Sequence, residues 1–326
     1  MMIMRKLNES SFMTSSSSFL SSVEPICPDD LIERALKFAP PRIAIARAGA
    51  PAPMEAAQDA VEAGIMIPVF VGERDRIESE ANALNWDISN FDLIEAAGED
   101  GSAIAAASAV RSGRADVLMK GHLHTDSFMK AAINRDHGLR TDKRFVHIFH
   151  MSSPNGGKPL LISDAAVNVA PSLTTRQDAI QLVVDLSQRL GTARPRIAIL
   201  SATETPIDSV PSSIESRDLA IWAKEHISDA DVRGPLAMDL ILSTEAAATK
   251  GLADDPVAGQ ADAIIVPDIV SGNALFKTLV YVGGACAAGV VMGGAAPILL
   301  TSRADPPAAR LASAALSQIL CAKPKA

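Results

Sequence analysis

Cysteine is scarce in this chain of 326 residues, with three copies at positions 27, 286 and 321. They share no metal-ligand or redox spacing and their number is odd, so a disulfide framework or a thiolate metal cluster is not expected. Aromatic residues are scarcer still for the length, at 4%, with one Tyr and two Trp. That leaves no platform on which single-stranded bases could stack. Basic residues are outnumbered, 30 Lys and Arg against 38 Asp and Glu, for a formal charge of −8. An acidic balance argues against a nucleic-acid or anionic-membrane surface. No apolar run reaches the roughly 18 residues of a membrane span. The longest, Tyr281 to Leu300, is interrupted by five glycines and one proline. No short internal repeat is present.

What the chain does have is apolar content of 48% and enough length for two ordinary α/β domains. Residues 1–28 read as a disordered extension, because the SSSS run at Ser15–Ser18 breaks any signal-like hydrophobic stretch. From Asp29 the pattern alternates. Helical spacing over Asp29–Phe38 is followed by the short strand RIAIAR at Arg42–Arg47, and helices and strands then take turns as far as DVLMKG at Asp116–Gly121. Apolar runs of four to six residues between helices of about ten predict a parallel sheet covered on both faces. FVHIFHMSS and KPLLISDA, joined by PNGG, predict a hairpin. A long helix is expected over Thr174–Leu190, with further strands at Pro195–Leu200, Asp231–Leu236, Ala261–Pro267 and Ala287–Gly293.

Four stretches could carry chemistry. PILLTSRADPP, Pro297–Pro307, runs a buried strand into Thr301, Ser302 and Arg303 and then opens a helix with two prolines. Hydroxyls, a guanidinium and a helix amino end at one junction suit a phosphate. LMKGHLHTDSFMK, Leu118–Lys130, ends a strand at Lys120. There Gly121 would let a backbone approach a ligand, and Thr125 or Asp126 would cap the next helix. His122 and His124 form an HxH pair without a third ligand at metal-binding spacing. VPDIVSGNALFK, Val266–Lys277, repeats the strand, small-polar turn, helix arrangement, with Asn273 and Lys277 one turn apart on one face. GPLAMD at Gly234–Asp239, with Lys250–Gly251 and Pro256–Gly259, reads as turn punctuation. In open α/β sheets ligands sit at carboxyl ends of strands, and the first three stretches fall there.

KGHLHTD, LLISDAAVN (Leu160–Asn168), GPLAMD, PVAGQADAIIVPDIVSGNALFK and PILLTSRAD, in this order, resemble the phosphate acetyltransferase and phosphate butyryltransferase family. The likeness is strongest to the acyltransferase part of chains that also carry an enoyl-CoA hydratase domain. It implies two α/β domains of the isocitrate and isopropylmalate dehydrogenase type, with mostly parallel sheets and an interdomain cleft. Domain I would be 29–152 with 291–326, domain II 153–290, and the assembly a cytoplasmic homodimer. The implied reaction is acyl-CoA plus phosphate giving acyl phosphate plus CoA, with coenzyme A and phosphate as substrates and no cofactor or metal. By similarity Ser302 and Arg303 match the family's pair beside the acyl phosphate, and His124 and Thr125 match its His-Thr/Ser segment. Family acetyltransferases place a carboxylate seven residues after that Ser, where this chain has Ala309. Asp305 is the nearest alternative, and a positive field lowering the thiol pKa is another route to the thiolate. Ser302, Arg303 and Asp305 are the candidate catalytic residues. Lys120, Gly121, His124, Thr125, Lys130, Asn273 and Lys277 are the candidate substrate-binding residues. A non-catalytic sensor of CoA or acyl phosphate and a metal-dependent decarboxylating dehydrogenase are the rival readings.

Overall fold

The structure, a computed structural model, describes residues 18–300 and 305–322. Its elements run α1 (Asp29–Ala35), β1 (Arg42–Ala46), α2 (Pro51–Glu62), β2 (Ile67–Gly72), α3 (Arg74–Ala83), β3 (Asp92–Glu95), α4 (Gly98–Arg111), β4 (Val117–Lys120), α5 (Thr125–Ala132), β5 (Val146–Ser152) and β6 (Leu160–Ser163). They continue with α6 (Leu173–Arg189), β7 (Arg196–Leu200), α7 (Pro211–His226), β8 (Asp231–Leu236), α8 (Met238–Leu242), α9 (Thr244–Thr249), β9 (Ala263–Ile265), α10 (Ile269–Tyr281), β10 (Cys286–Met292), β11 (Ile298–Leu299) and α11 (Pro307–Leu320).

The strands form one sheet in the order β3-β2-β1-β4-β11-β10-β5-β6-β9-β7-β8. Two parallel blocks were expected, and two are present: β3-β2-β1-β4-β11 and β6-β9-β7-β8. The sequence pattern does not reveal that antiparallel pairings through β10 and β5 join them edge to edge into a single sheet. The architecture is therefore mixed α/β with mostly parallel pairing. An odd number of reversals lies between the blocks, so their carboxyl ends point in opposite directions along the strands.

The inner strands β1, β2 and β4 read as apolar runs because both faces are covered. In β1, Ile43 and Ile45 face one buried cluster while Ala44 and Ala46 face another. The first cluster gathers α1, α2, α6 and α11, and the second is built with α4 and α5. A third, around Leu236, Ile241, Val257 and Ile264, closes the far block. PNGG makes the expected β5–β6 hairpin, with Gly156 and Gly157 at φ of 75° and 91°. GPLAMD and PVAG serve that third core: a Cβ at Gly259 would fall 2.6 Å from the Thr244 amide nitrogen, and φ there is +74°. Among the described residues, no helix is long and apolar enough to cross a membrane.

Residues 18–28, grouped with the tail in the sequence reading, lie against the fold. The Ser21 amide donates to the Tyr281 carbonyl at 2.8 Å, tying this segment to the end of α10. Residues 1–17 lie outside the described residues.

Candidate active site

The end of β4 is built first, because two strands flank it. β4 pairs in parallel with β1 and with β11. Lys120 ends the strand and is 8% exposed. The Gly121 amide donates to the Ala46 carbonyl and the His122 amide to the Arg47 carbonyl, both at 3.0 Å. A Cβ on Gly121 would intrude on those two carbonyls. The close approach that requires glycine here is thus that of the neighbouring chain segment, in place of the ligand approach expected from sequence.

His124, and not Thr125 or Asp126, is the N-cap of α5, with extended backbone at φ −68°, ψ 144°. Its role follows from Glu99 in the first turn of α4. Glu99 Oε2 accepts from the His124 amide at 2.9 Å and is 2.8 Å from His124 Nδ1, while Oε1 accepts from Arg47 Nη1 at 3.0 Å. One carboxylate therefore faces the amino ends of two helices, which their dipoles favour. The donations from His124, first its amide and then its ring, hold the Glu99 pKa below the ordinary range. Thr125, Asp126 and Lys130 are exposed on α5.

A second site forms where α10 meets the end of β11. Asp268 caps α10 by accepting from the Ser271 amide at 2.8 Å and its hydroxyl at 3.1 Å, so the helix starts at Ile269, ahead of the Ser-Gly-Asn run that the sequence suggested. At Gly272 a Cβ would sit 2.8 Å from the Asp164 carbonyl oxygen and 3.0 Å from Ala165 Cα. This bare position lets the helix start settle onto the loop after β6, where Asn273 Nδ2 reaches the Ala165 carbonyl at 3.4 Å. That loop is held by Asp164, whose Oδ1 accepts from the amides of Ala166 and Val167 at 2.9 and 3.0 Å. Its Oδ2 accepts from Asn168 Nδ2 at 2.6 Å.

A cavity of about 570 Å³ opens between these elements, within the usual range for a small-molecule site. Asn273 and Lys277 line one side, and Leu300, Asp305, Pro306 and Ala309 line another. The floor is β5 and β10, through His147, Phe149, Ala287 and Gly289, with Phe276 above them. Leu20, Ser21, Val23 and Glu24 close one flank. Phe149 and Phe276 stack at 4.2 Å between centroids with 15° between planes, and His147 lies 4.2 Å from Phe149. Ser313 supports the floor from α11: its hydroxyl accepts from the Gly289 amide at 2.9 Å and donates to the Ala309 carbonyl at 2.7 Å.

His147 is 2% exposed and its Nδ1 has no hydrogen-bond partner among the described residues. Burial pushes its pKa down to about 4 against the opposing pull of Asp164, so the ring is neutral near pH 7. His150, three residues on and on the other face of β5, is also lowered to about 4, chiefly by burial.

Of the candidates read from sequence, the cavity brings together Asn273, Lys277 and Asp305. Lys120, Gly121, His124, Thr125 and Lys130 do not line it. They stand one strand away: Ile298 pairs Leu118 and Leu299 pairs Met119, so the same register sets Leu300, on the cavity wall, beside Lys120. Ser302 and Arg303 lie outside the described residues, in the segment between Leu300 and Asp305. Ala309 occupies the first turn of α11 and offers the cavity no carboxylate. His147, Phe149, Phe276, Gly289, Ser313 and the Leu20–Glu24 flank were not anticipated. The signal available for two of them was the alternation in VHIFHMS, which puts His147 and Phe149 on one face. Among the described residues no group of three or more His, Cys, Asp or Glu could hold a metal ion.

Comparison with known proteins adds the family to this geometry. The phosphate acetyl/butaryl transferase family model matches residues 99–317. The chain is 38% identical over 296 residues to a phosphate acetyltransferase of Rhizobium meliloti, covering 87% of this chain and 93% of that one. It is 32% identical to the phosphate butyryltransferase of Clostridium acetobutylicum, covering 86% of this chain and 93% of that one. Among solved structures it is similar to a branched-chain phosphotransacylase from Enterococcus faecalis, with a TM-score of 0.74 and 30% identity over 85% of this chain and 98% of that one. With a family model matching more than half its length and relatives this similar along most of theirs, the chain belongs to the phosphate acetyltransferase and phosphate butyryltransferase family.

Proposed function

We propose that the chain is a phosphate acyltransferase that exchanges the CoA of an acyl thioester for inorganic phosphate, giving an acyl phosphate. The observation that carries this reading is the cavity shared by the start of α10 and the end of β11, in a chain of this family. An acyl phosphate holds about two negative charges, which must be countered where sulfur and phosphate meet the carbonyl. Lys277 supplies one positive charge on the cavity wall, and Asn273 offers an amide donor on the same helix face. Arg303, in the segment leading from Leu300 to Asp305, is assigned the bidentate grip on phosphate. Ser302 is assigned a hydrogen bond to the developing oxyanion.

A phosphate oxygen attacks the thioester carbonyl carbon and forms a new C–O bond, the C–S bond breaks, and CoA leaves as thiolate. In the reverse direction the thiol must lose its proton, for which Asp305 is the candidate base on the cavity wall. Transfer is direct, within a ternary complex. The cysteines do not suit an acyl-enzyme: Cys27 is pushed up to about 12 and Cys286 to about 11, mainly by burial, so both remain protonated thiols.

We assign Lys120, Gly121, His124, Thr125 and Lys130 to the rim beside this site, where their strand adjoins β11. The proposal extends to a two-domain arrangement of the isocitrate and isopropylmalate dehydrogenase type, with 29–152 and 291–326 as one domain and 153–290 as the other. It further extends to a cytoplasmic homodimer that needs no cofactor beyond its two substrates. The decisive assay follows free-thiol release from acetyl-, propionyl- and butyryl-CoA with phosphate as acceptor. Thiol release that depends on phosphate supports the reading. CoA binding without any turnover supports a sensor instead, and NAD reduction with a divalent metal supports a dehydrogenase.

A further inference from the structure

Gly289 sits in the middle of β10, opposite Phe149 in the antiparallel register with β5. Its φ lies outside the left-handed region, so the backbone there would accept any residue. What forbids a side chain is space. A Cβ at this position would lie 2.9 Å from both Cε1 and Nε2 of His147 and 3.2 Å from Cε1 of Phe149. The two rings rest on bare backbone, and Phe149 carries Phe276 stacked on it. A glycine inside a strand costs conformational entropy and forgoes cross-strand packing, so its presence at a cavity floor marks a need for room. Ala287 on the same strand, and Ala285 just before it, keep that floor low.

The floor is apolar in character despite its histidine, because burial keeps that ring uncharged. The polar and charged groups of the cavity stand off this floor: Asn273, Lys277 and Tyr281 belong to α10, Asp305 to the approach to α11, and Ser21, Ser22 and Glu24 to the flank. A ligand that is charged at one end and hydrocarbon at the other matches this division.

We propose that the floor formed by Gly289, His147, Phe149 and Phe276 receives the hydrocarbon tail of the acyl group, and that Gly289 sets how long or branched that tail can be. The inference rests on the reading of the chain as a phosphate acyltransferase and names the part of the substrate that this cavity selects. A methyl group at position 289 lifts the rings of His147 and Phe149 into the space an acyl tail would fill. The enzyme is thereby a transferase for acyl groups of four or more carbons, straight or branched, ahead of acetyl.

The test measures kcat/KM with phosphate for acetyl-, butyryl-, isovaleryl- and hexanoyl-CoA in wild type, Gly289→Ala and Phe276→Ala. Wild type is expected to favour butyryl- or isovaleryl-CoA over acetyl-CoA. Gly289→Ala is expected to lower the butyryl-to-acetyl ratio by about 10- to 200-fold, the discrimination that one methylene of fit commands. Phe276→Ala, which opens the floor from the helix side, is expected to move the preference toward hexanoyl-CoA and keeps the idea testable should Gly289→Ala fail to fold. An equal loss for every acyl-CoA in a folded Gly289→Ala protein, or an unchanged chain-length profile in Phe276→Ala, overturns the assignment while leaving the transferase reading intact. Absence of phosphate-dependent turnover by wild type with any acyl-CoA overturns both.

Discussion

Two neighbouring strand ends carry the residues that looked chemical in the sequence, and their environments differ. At the end of β4, Arg47, Glu99 and His124 answer one another's charges and hydrogen bonds in a shallow, exposed network. At the end of β11 and the start of α10, a cavity joins apolar walls to Lys277, Asn273, Asp305 and a buried imidazole with a nitrogen unmatched among the described residues. Polar groups that satisfy each other hold a backbone in place, whereas an enclosed polar atom left unmatched beside open volume awaits a partner. The lesson is that equal-looking motifs separate by what surrounds them: at β4 the polar groups hold one another, and beside β11 they border the open volume in which we propose the reaction.

The sharpest way to break that division is Arg303→Gln. With the proposed phosphate grip removed, kcat/KM for acyl-CoA and phosphate is expected to fall by about 10²–10³-fold while the melting temperature holds. Near-normal turnover would take Arg303 out of the mechanism. The next largest effect concerns acid stability. Because folding holds the His147 pKa near 4, the unfolded chain binds a proton that the folded chain refuses. Its contribution is complete above about pH 6.5 and is lost as the pH falls toward 4, amounting to about 2 kcal/mol between pH 7 and pH 5. Denaturant titrations at those two pH values should show His147→Gln losing less stability on acidification than wild type. An equal loss would place the acid sensitivity elsewhere, His150 being the first alternative.

Ser313→Ala probes the cavity floor from beneath. It leaves the Gly289 amide without its acceptor, which is expected to cost about 1–3 kcal/mol in chemical denaturation. An unchanged midpoint would mean that the floor does not depend on this hydroxyl. The smallest effect belongs to the β4 side. Glu99→Gln weakens the ties to Arg47 and His124 at an exposed site, and kcat/KM should change no more than a few-fold. A loss as large as that of Arg303→Gln would erase the contrast between the two regions.

Much of this frame could be read in advance. The run RIAIAR, the hairpin at PNGG and the helix from Thr174 declare themselves through local periodicity and turn chemistry, and the structure carries all three. Asn273 and Lys277 were paired correctly by helical spacing alone, since both reach the same cavity. What stayed hidden depends on distant partners. Nothing local to VHIFHMS says that its neighbour will be residues 286–292, so the bare Gly289 beneath Phe149 could not be foreseen. Gly121 was assigned to ligand approach because strand-to-strand crowding against Ala46 and Arg47 is invisible before β1 and β4 are paired. The N-cap of α5 moved from Thr125 to His124 for a similar reason, because the acceptor that holds it, Glu99, is 25 residues away.

The hydrogen bond from Ser21 to Tyr281 has a practical consequence for anyone preparing this enzyme. Since Leu20 to Glu24 form a flank of the cavity, trimming the chain back to residue 28 takes away part of that wall along with the extension read from the sequence. Affinity handles belong at the other terminus, and a preparation trimmed in this way is expected to present a wider, leakier cavity than the 326-residue chain.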